Sequence, residues 1–112
     1  MKTINFSLLK NNEHIIKENN IKCINQNNKT TFIIKEEKYT YYNNKLIKEN
    51  EEEIITLDFT NKLATIYLKK YDNYLNLDII ESKIDNKENF IEIMYKIETE
   101  KDYNNIIRIE YI

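Results

Sequence analysis

Apolar and polar residues alternate along most of this chain with a period of two. Ile55, Leu57 and Phe59 alternate with Thr56, Asp58 and Thr60, and Ala64, Ile66 and Leu68 with Thr65, Tyr67 and Lys69. Leu75, Leu77 and Ile79 stand against Asn76 and Asp78, and Ile91, Ile93, Tyr95 and Ile97 against Glu92, Met94, Lys96 and Glu98. Ile107, Ile109 and Tyr111 repeat the pattern against Arg108 and Glu110. A strand points successive side chains to opposite faces, so each run predicts a half-buried strand, apolar inward and polar outward. Ile, Thr, Tyr and Phe are also the residues that pack best on a pleated surface.

Short polar steps separate the runs. Asn11-Asn12, Asn19-Asn20, Asn27-Asn28, Asn43-Asn44, Asp72-Asn73, Asp85-Asn86 and Asn104-Asn105 read as turns, with Thr60-Asn61-Lys62 another. Connections this short join antiparallel neighbours, because a parallel pair needs a crossover of about a dozen residues or more. From Lys29 onward the pattern predicts a meander of about seven strands, with a short break around Ser82–Asp85. Such a sheet, apolar on one face, must fold over a second sheet or close on itself, and closure removes the exposed edges. The expected fold is therefore all-β: one antiparallel up-and-down barrel of about eight strands, a single domain over residues 1–112.

Two stretches leave alternatives open. In Leu8–Ile24 the pairs Leu8-Leu9, Ile15-Ile16 and Cys23-Ile24 recur at a spacing that suits either two strands or a helix. Its asparagines compete for backbone hydrogen bonds and favour strands. A helix there would give the other architecture, an α+β fold with an N-terminal helix packed on a curved antiparallel sheet. Lys45–Glu53 reads as one or two helical turns, or as a short strand followed by a solvated acidic turn.

Composition explains the turns. The chain holds 21 Ile, 18 Asn and 16 Lys, but no Gly or Pro. Ile, Asn and Lys have A/T-rich codons, so the usage points to a low-G+C genome. Without glycine, asparagine is the next residue to accept positive φ, its short side chain bonding the local backbone. The 17 basic and 19 acidic residues are interspersed, with a net charge of -2, which argues against nucleic acid as a partner. No apolar stretch reaches membrane-spanning length, and no charged-then-apolar leader opens the chain. One cysteine, Cys23, cannot form an internal disulfide, and a cytoplasmic location is expected.

From Phe32 onward the order of short blocks resembles the YwiB-like family of small bacterial proteins. An aromatic hairpin, Tyr39-Thr40-Tyr41-Tyr42-Asn43-Asn44-Lys45-Leu46, precedes the acidic run Lys48-Glu49-Asn50-Glu51-Glu52-Glu53. The strand Ile54–Thr60, the basic-ended Leu63–Asp72, the alternating Phe90–Glu98 and Ile107–Tyr111 complete the likeness. The family's turns commonly carry Gly where this chain has Asn or Lys, and Lys69 and Lys70 stand where its usual residue is Arg. The resemblance implies a calycin-type, lipocalin-like β-barrel and carries no mechanism, so it transfers no site residue.

No constellation of residues specifies a chemistry. His14 and Cys23 are each unique in the chain; they lack the ligand number of a zinc site and read as a surface histidine and a buried thiol rather than a nucleophile pair. A phosphate-binding glycine loop has no glycine to form it. Glu36-Glu37, Glu49 with Glu51–Glu53, and Asp78 with Glu81 fall on polar faces and turns, where carboxylates are solvated. Nine tyrosines cluster near strand ends, where they either fill the barrel with hydroxyls at its rim or form a recognition surface. The expectation is a protein that is not an enzyme, with no catalytic, cofactor-binding or metal residue assigned and no cofactor. Its partner is a small apolar ligand at the barrel mouth, or another protein bound on a Tyr-containing face or strand edge. It would be a monomer or a weak homodimer and bind no membrane.

Overall fold

With no glycine available, 11 of the described residues hold positive φ, and all but Asn20 lie in turns. Asn11-Asn12, Asn27-Asn28 and Asn43-Asn44 each have two consecutive residues between φ 49° and 66°. Two such residues match the twist of the flanking strands and make the tight two-residue hairpin. A fourth hairpin turns at Lys35 (φ 49°) and Glu36 (φ 68°), where no asparagine announces it.

The computed structural model describes residues 2–112. Its strands are β1 (Lys2–Lys10), β2 (Glu13–Gln26), β3 (Lys29–Ile34), β4 (Glu37–Tyr42) and β5 (Lys45–Glu49). There follow β6 (Glu53–Asp58), β7 (Leu63–Leu68), β8 (Asn73–Lys87), β9 (Phe90–Ile97) and β10 (Asn105–Tyr111). Each pairs antiparallel with its neighbour in sequence, and β1 pairs with β10, from Ile4 opposite Tyr111 to Lys10 opposite Asn105, to close the barrel.

The closed antiparallel barrel is as the alternation predicts, with ten strands rather than about eight. From Lys29 there are eight strands, not seven, because the Lys35-Glu36 turn separates β3 from β4. The α+β alternative does not occur: Leu8–Ile24 contains a strand hairpin turning at Asn11-Asn12. Its helix-like doublets have a strand origin. Leu8 faces the barrel interior opposite Ile16, Leu9 stands on the other face opposite His14 and is also buried, and Ile15 is the extra residue of a bulge between them. Asn19-Asn20 is likewise a bulge inside β2, with the Asn20 N–H donating to Asn5 Oδ1 at 2.9 Å.

β8 runs unbroken through both the expected break at Ser82–Asp85 and the expected turn at Asp85-Asn86; the chain turns at Glu88-Asn89 instead. A bulge at Ile80 reverses the alternation, so Leu77 and Ile79 face inward before it and Ser82, Ile84 and Asn86 after it. That reversal is what reads as a break in sequence.

Inward residues fill the barrel. Phe6, Phe32 and Tyr39 form one aromatic cluster, with Phe32 and Tyr39 stacked 5.2 Å apart. Phe59 and Tyr95 form another at 5.3 Å, and Ile4, Ile93, Ile107 and Ile109 are fully buried between the strands. Burial pushes the Tyr39 and Tyr95 phenols up to about 12, with nearby Glu37 and Glu100 adding to it. Strands in a barrel tilt against its axis, so a row of residues running across the strands climbs from core to mouth. The inward row Cys23, Phe32, Tyr39, Lys48, Ile55, Ile66, Leu75 does this. Cys23 is 2% exposed and Leu75 is 51% exposed.

Candidate functional site

The turns alternate between the two ends of the barrel, and the end bearing Lys35-Glu36, Asn50–Glu52 and Lys69–Asp72 is built from polar contacts. After β5 the side chain of Asn50 ends the strand: its Oδ1 accepts the N–H groups of Glu52 and Glu53, both at 2.9 Å. Its Nδ2 donates to Glu37 Oε2 at 3.1 Å, and Lys48 Nζ lies 3.4 Å from the same oxygen. Lys45–Glu53 is thus a strand and an acidic turn, the second of its two expected readings.

Beyond β7 a 3-10 turn, Lys69–Tyr71, is tied to this rim. The Lys69 N–H donates to Glu52 O at 3.0 Å, and its ammonium to Glu49 Oε2 at 2.9 Å. That hydrogen bond, with the Lys69 charge behind it, holds the Glu49 carboxyl below its ordinary range. Asp72 closes the turn in the left-handed region, φ 46°, and accepts the Tyr67 hydroxyl at 2.6 Å. The bond raises the Tyr67 phenol above its usual value.

The Tyr67 ring lies 4.7 Å from that of Tyr74 on the neighbouring strand. Tyr74 is 63% exposed, and Tyr71, at the tip of the turn, is 69% exposed. Two concavities flank the Glu51-Glu52 ridge. One, of about 640 Å³, is lined by Leu68, Lys69, Lys70 and Tyr71, and the other, of about 550 Å³, by Lys35, Glu36, Glu37 and Asn50.

Below the rim, the outer face of β3–β8 carries ordered rows. Ile33, Lys38, Glu49, Ile54, Tyr67 and Tyr74 form the upper row, each opposite the next across a strand pair. The next row is Thr31, Thr40, Ile47, Thr56, Thr65 and Asn76. It is uncharged, and four of its six members are threonines. Its threonines sit half-buried, and Asn76 at its β8 end is exposed. That row is an uncharged strip whose β7–β8 end lies beside the rings of Tyr67 and Tyr74 in the row above.

The nine tyrosines divide between the core and the surface. Tyr39, Tyr41 and Tyr95 are buried in the core, and Tyr111 shares a hydrogen bond of 2.8 Å with Thr30 at its lower end. Tyr42 and Tyr103 lie under Lys29 and Lys10, 4.7 and 4.6 Å from the ammonium groups. Tyr67, Tyr71 and Tyr74 gather around the turn that Asp72-Asn73 marks in sequence.

The other sequence candidates stay apart. His14 is exposed near one end of β2, and Cys23 is buried against Phe32 toward the other, roughly 23 Å away, since their β1 partners Leu9 and Lys2 stand seven residues apart. Burial raises the Cys23 thiol, opposed by the Lys2 charge. Asp78 and Glu81 are separated by the Ile80 bulge, and Glu81 lies 3.9 Å from Lys96. Glu37 meets Lys48, whereas Glu36 sits in the turn. Among the described residues no three His, Cys, Asp or Glu side chains gather as a metal site, and no helix is long and apolar enough to cross a membrane. No protein-family model, curated protein or solved structure matches the chain.

Proposed function

We propose that this protein is a non-catalytic binding module that recognises another protein through the outer face of β3–β8, anchored at its β7–β8 end by Tyr67, Tyr71 and Tyr74. The observation that carries this is the exposure of Tyr71 and Tyr74 around one turn, with Tyr74 against the ring of Tyr67, which Asp72 fixes in place. Exposed, oriented tyrosines give large contact area at low entropic cost, and such residues anchor recognition surfaces. Charged residues cross the outer face at Lys38, Glu49, Lys45 and Asp58. That suits water better than lipid, since a membrane barrel needs an apolar outer band. The same reading puts the protein in the cytoplasm of a low-G+C bacterium, on its single cysteine and codon usage, and among calycin-type barrels, on its resemblance to the YwiB-like family.

A second reading rests on the inner row that opens at Leu75. Ile55, Ile66 and Leu75 line the mouth beside the polar cluster of Glu37, Lys48 and Asn50. An apolar wall with a few convergent polar groups is the general form of a small-ligand site.

One experiment separates the two. Immobilised wild type, the double variant Tyr71→Ala/Tyr74→Ala and the control Ile15→Ser on the far side of the barrel are exposed to cell extract. Native mass spectrometry of the purified protein runs in parallel. A protein retained by wild type and control but lost by the double variant supports the tyrosine face. A reproducible bound small mass, lost in Leu75→Glu, would replace that reading with the ligand site.

A further inference from the structure

Two strands of this barrel are unpaired along part of one side, and they are built differently. Toward β3, β2 is paired only from Cys23 to Gln26, and its free segment carries the bulges at Ile15 and at Asn19-Asn20. Bulges twist an edge away from further pairing, a usual defence of exposed strands. β8 is paired to β7 only as far as Asp78, while Glu81–Lys87 pairs with β9 in unbroken register. The β6–β7 turn covers the start of this second edge. The Ile79 N–H donates to Lys62 O at 3.0 Å, and Ser82 Oγ to Phe59 O at 3.1 Å. Among the described residues, Lys83–Lys87 pairs with no strand but β9.

We propose that this edge is a homodimer interface, in which β8 of one copy pairs antiparallel with β8 of a second copy about a two-fold axis through Ile84, giving one continuous sheet across both molecules.

The charge order selects the partner. The outward residues of the segment are Glu81, Lys83, Asp85 and Lys87, strictly alternating in sign. Reversed, that order is its own complement. Pairing about Ile84 sets Glu81 opposite the second copy's Lys87 and Lys83 opposite its Asp85, and the symmetry repeats both pairs. Moving the axis to Lys83 or to Asp85 sets three of the four outward residues opposite like charges, so those registers are disfavoured. On the inward face Ser82 meets Asn86, and the half-buried Ile84 meets its own copy. The existing partners compete weakly: Asp85 with Lys87, both exposed, and the exposed Glu81 with the half-buried Lys96, each at 3.9 Å. The interface leaves the tyrosine face open, so it stands independently of the function proposed above.

Sedimentation velocity over a concentration series tests it, with circular dichroism to confirm that each variant folds. Wild type should show a monomer–dimer equilibrium. Lys83→Glu and Asp85→Lys should each weaken it by about tenfold or more, since like charges then oppose each other twice. The double variant Lys83→Glu/Asp85→Lys restores the alternation between copies and should restore the dimer. Ile84→Cys should form a disulfide-linked dimer on oxidation, lost when Lys83→Glu is added. A wild type that stays monomeric up to its solubility limit would overturn the proposal. So would a dimer indifferent to the single reversals.

Discussion

Lys35 and Glu36 adopt left-handed φ values that the chain otherwise gives mainly to asparagine. A side chain with a Cβ strains this region by about 1–2 kcal/mol per residue, less for asparagine, whose amide bonds the local backbone. Lys35→Asn/Glu36→Gly should therefore raise unfolding stability by about 1 kcal/mol, measured by urea denaturation. An unchanged or lower midpoint would mean that the flanking strands already hold the turn without cost. The same position shows where legibility stops at this scale. Asn11-Asn12, Asn27-Asn28 and Asn43-Asn44 were readable because composition made asparagine the turn residue. Lys35-Glu36 was not, because pairing of Phe32 with Tyr39 and of Ile34 with Glu37 forces the turn from outside its own sequence.

Between β6 and β7 the connection depends on one carboxylate. Asp58 Oδ1 accepts the N–H groups of Thr60 and Asn61 at 3.2 and 3.1 Å, and Oδ2 accepts the Asn61 side-chain amide at 2.8 Å. Partial burial alone would raise this carboxyl, but the Asn61 and Thr60 bonds and the Lys45 charge outweigh it and hold it below its ordinary value. A carboxyl depressed on folding adds stability above its unfolded pKa, and that part is lost as pH falls through the folded value. Asp58→Ala should cost about 1–2 kcal/mol at neutral pH, and the cost should shrink in acid below the usual carboxylate range. Equal losses at neutral and acidic pH would point to packing instead of the hydrogen bonds. Most strands are legible from the period-two alternation, but a bulge adds one residue and flips the faces beyond it, so β8 reads as broken at Ser82–Asp85 and Asn19-Asn20 inside β2 reads as a turn. The tyrosine site was half visible: its residues stood out by type, but only the cross-strand register joins Tyr67 to Tyr74.

For the molecule as a whole, the closing pair β1–β10 joins residues nearly the full chain apart, and this ties the ends together. The Ile112 N–H donates to Thr3 O at 3.1 Å, and Ile4 stands opposite Tyr111. β2 and β7 lie five strands apart in the ring of ten, so the tyrosine strands and the N-terminal hairpin occupy opposite walls. In a dimer through β8 each copy would present its own tyrosine face, and a partner with two epitopes would gain affinity from the linkage without any new contact. The order of the strands around the ring, rather than their order in the chain, should then determine whether the protein folds. A circular permutant that joins Ile112 to Lys2 through a short polar linker and opens the chain between Asn27 and Asn28 keeps every strand pair, including β1–β10. Such cuts in exposed hairpin tips are well tolerated. The permutant should show the same circular dichroism and cooperative unfolding, with a loss of about 1–2 kcal/mol for the cut turn. Removing β10 instead exposes the buried Ile107 and Ile109 and reopens both of its neighbouring edges, and that chain should aggregate. If the permutant failed to fold while the β10-deleted chain stayed soluble and structured, closure could not be what holds the barrel together.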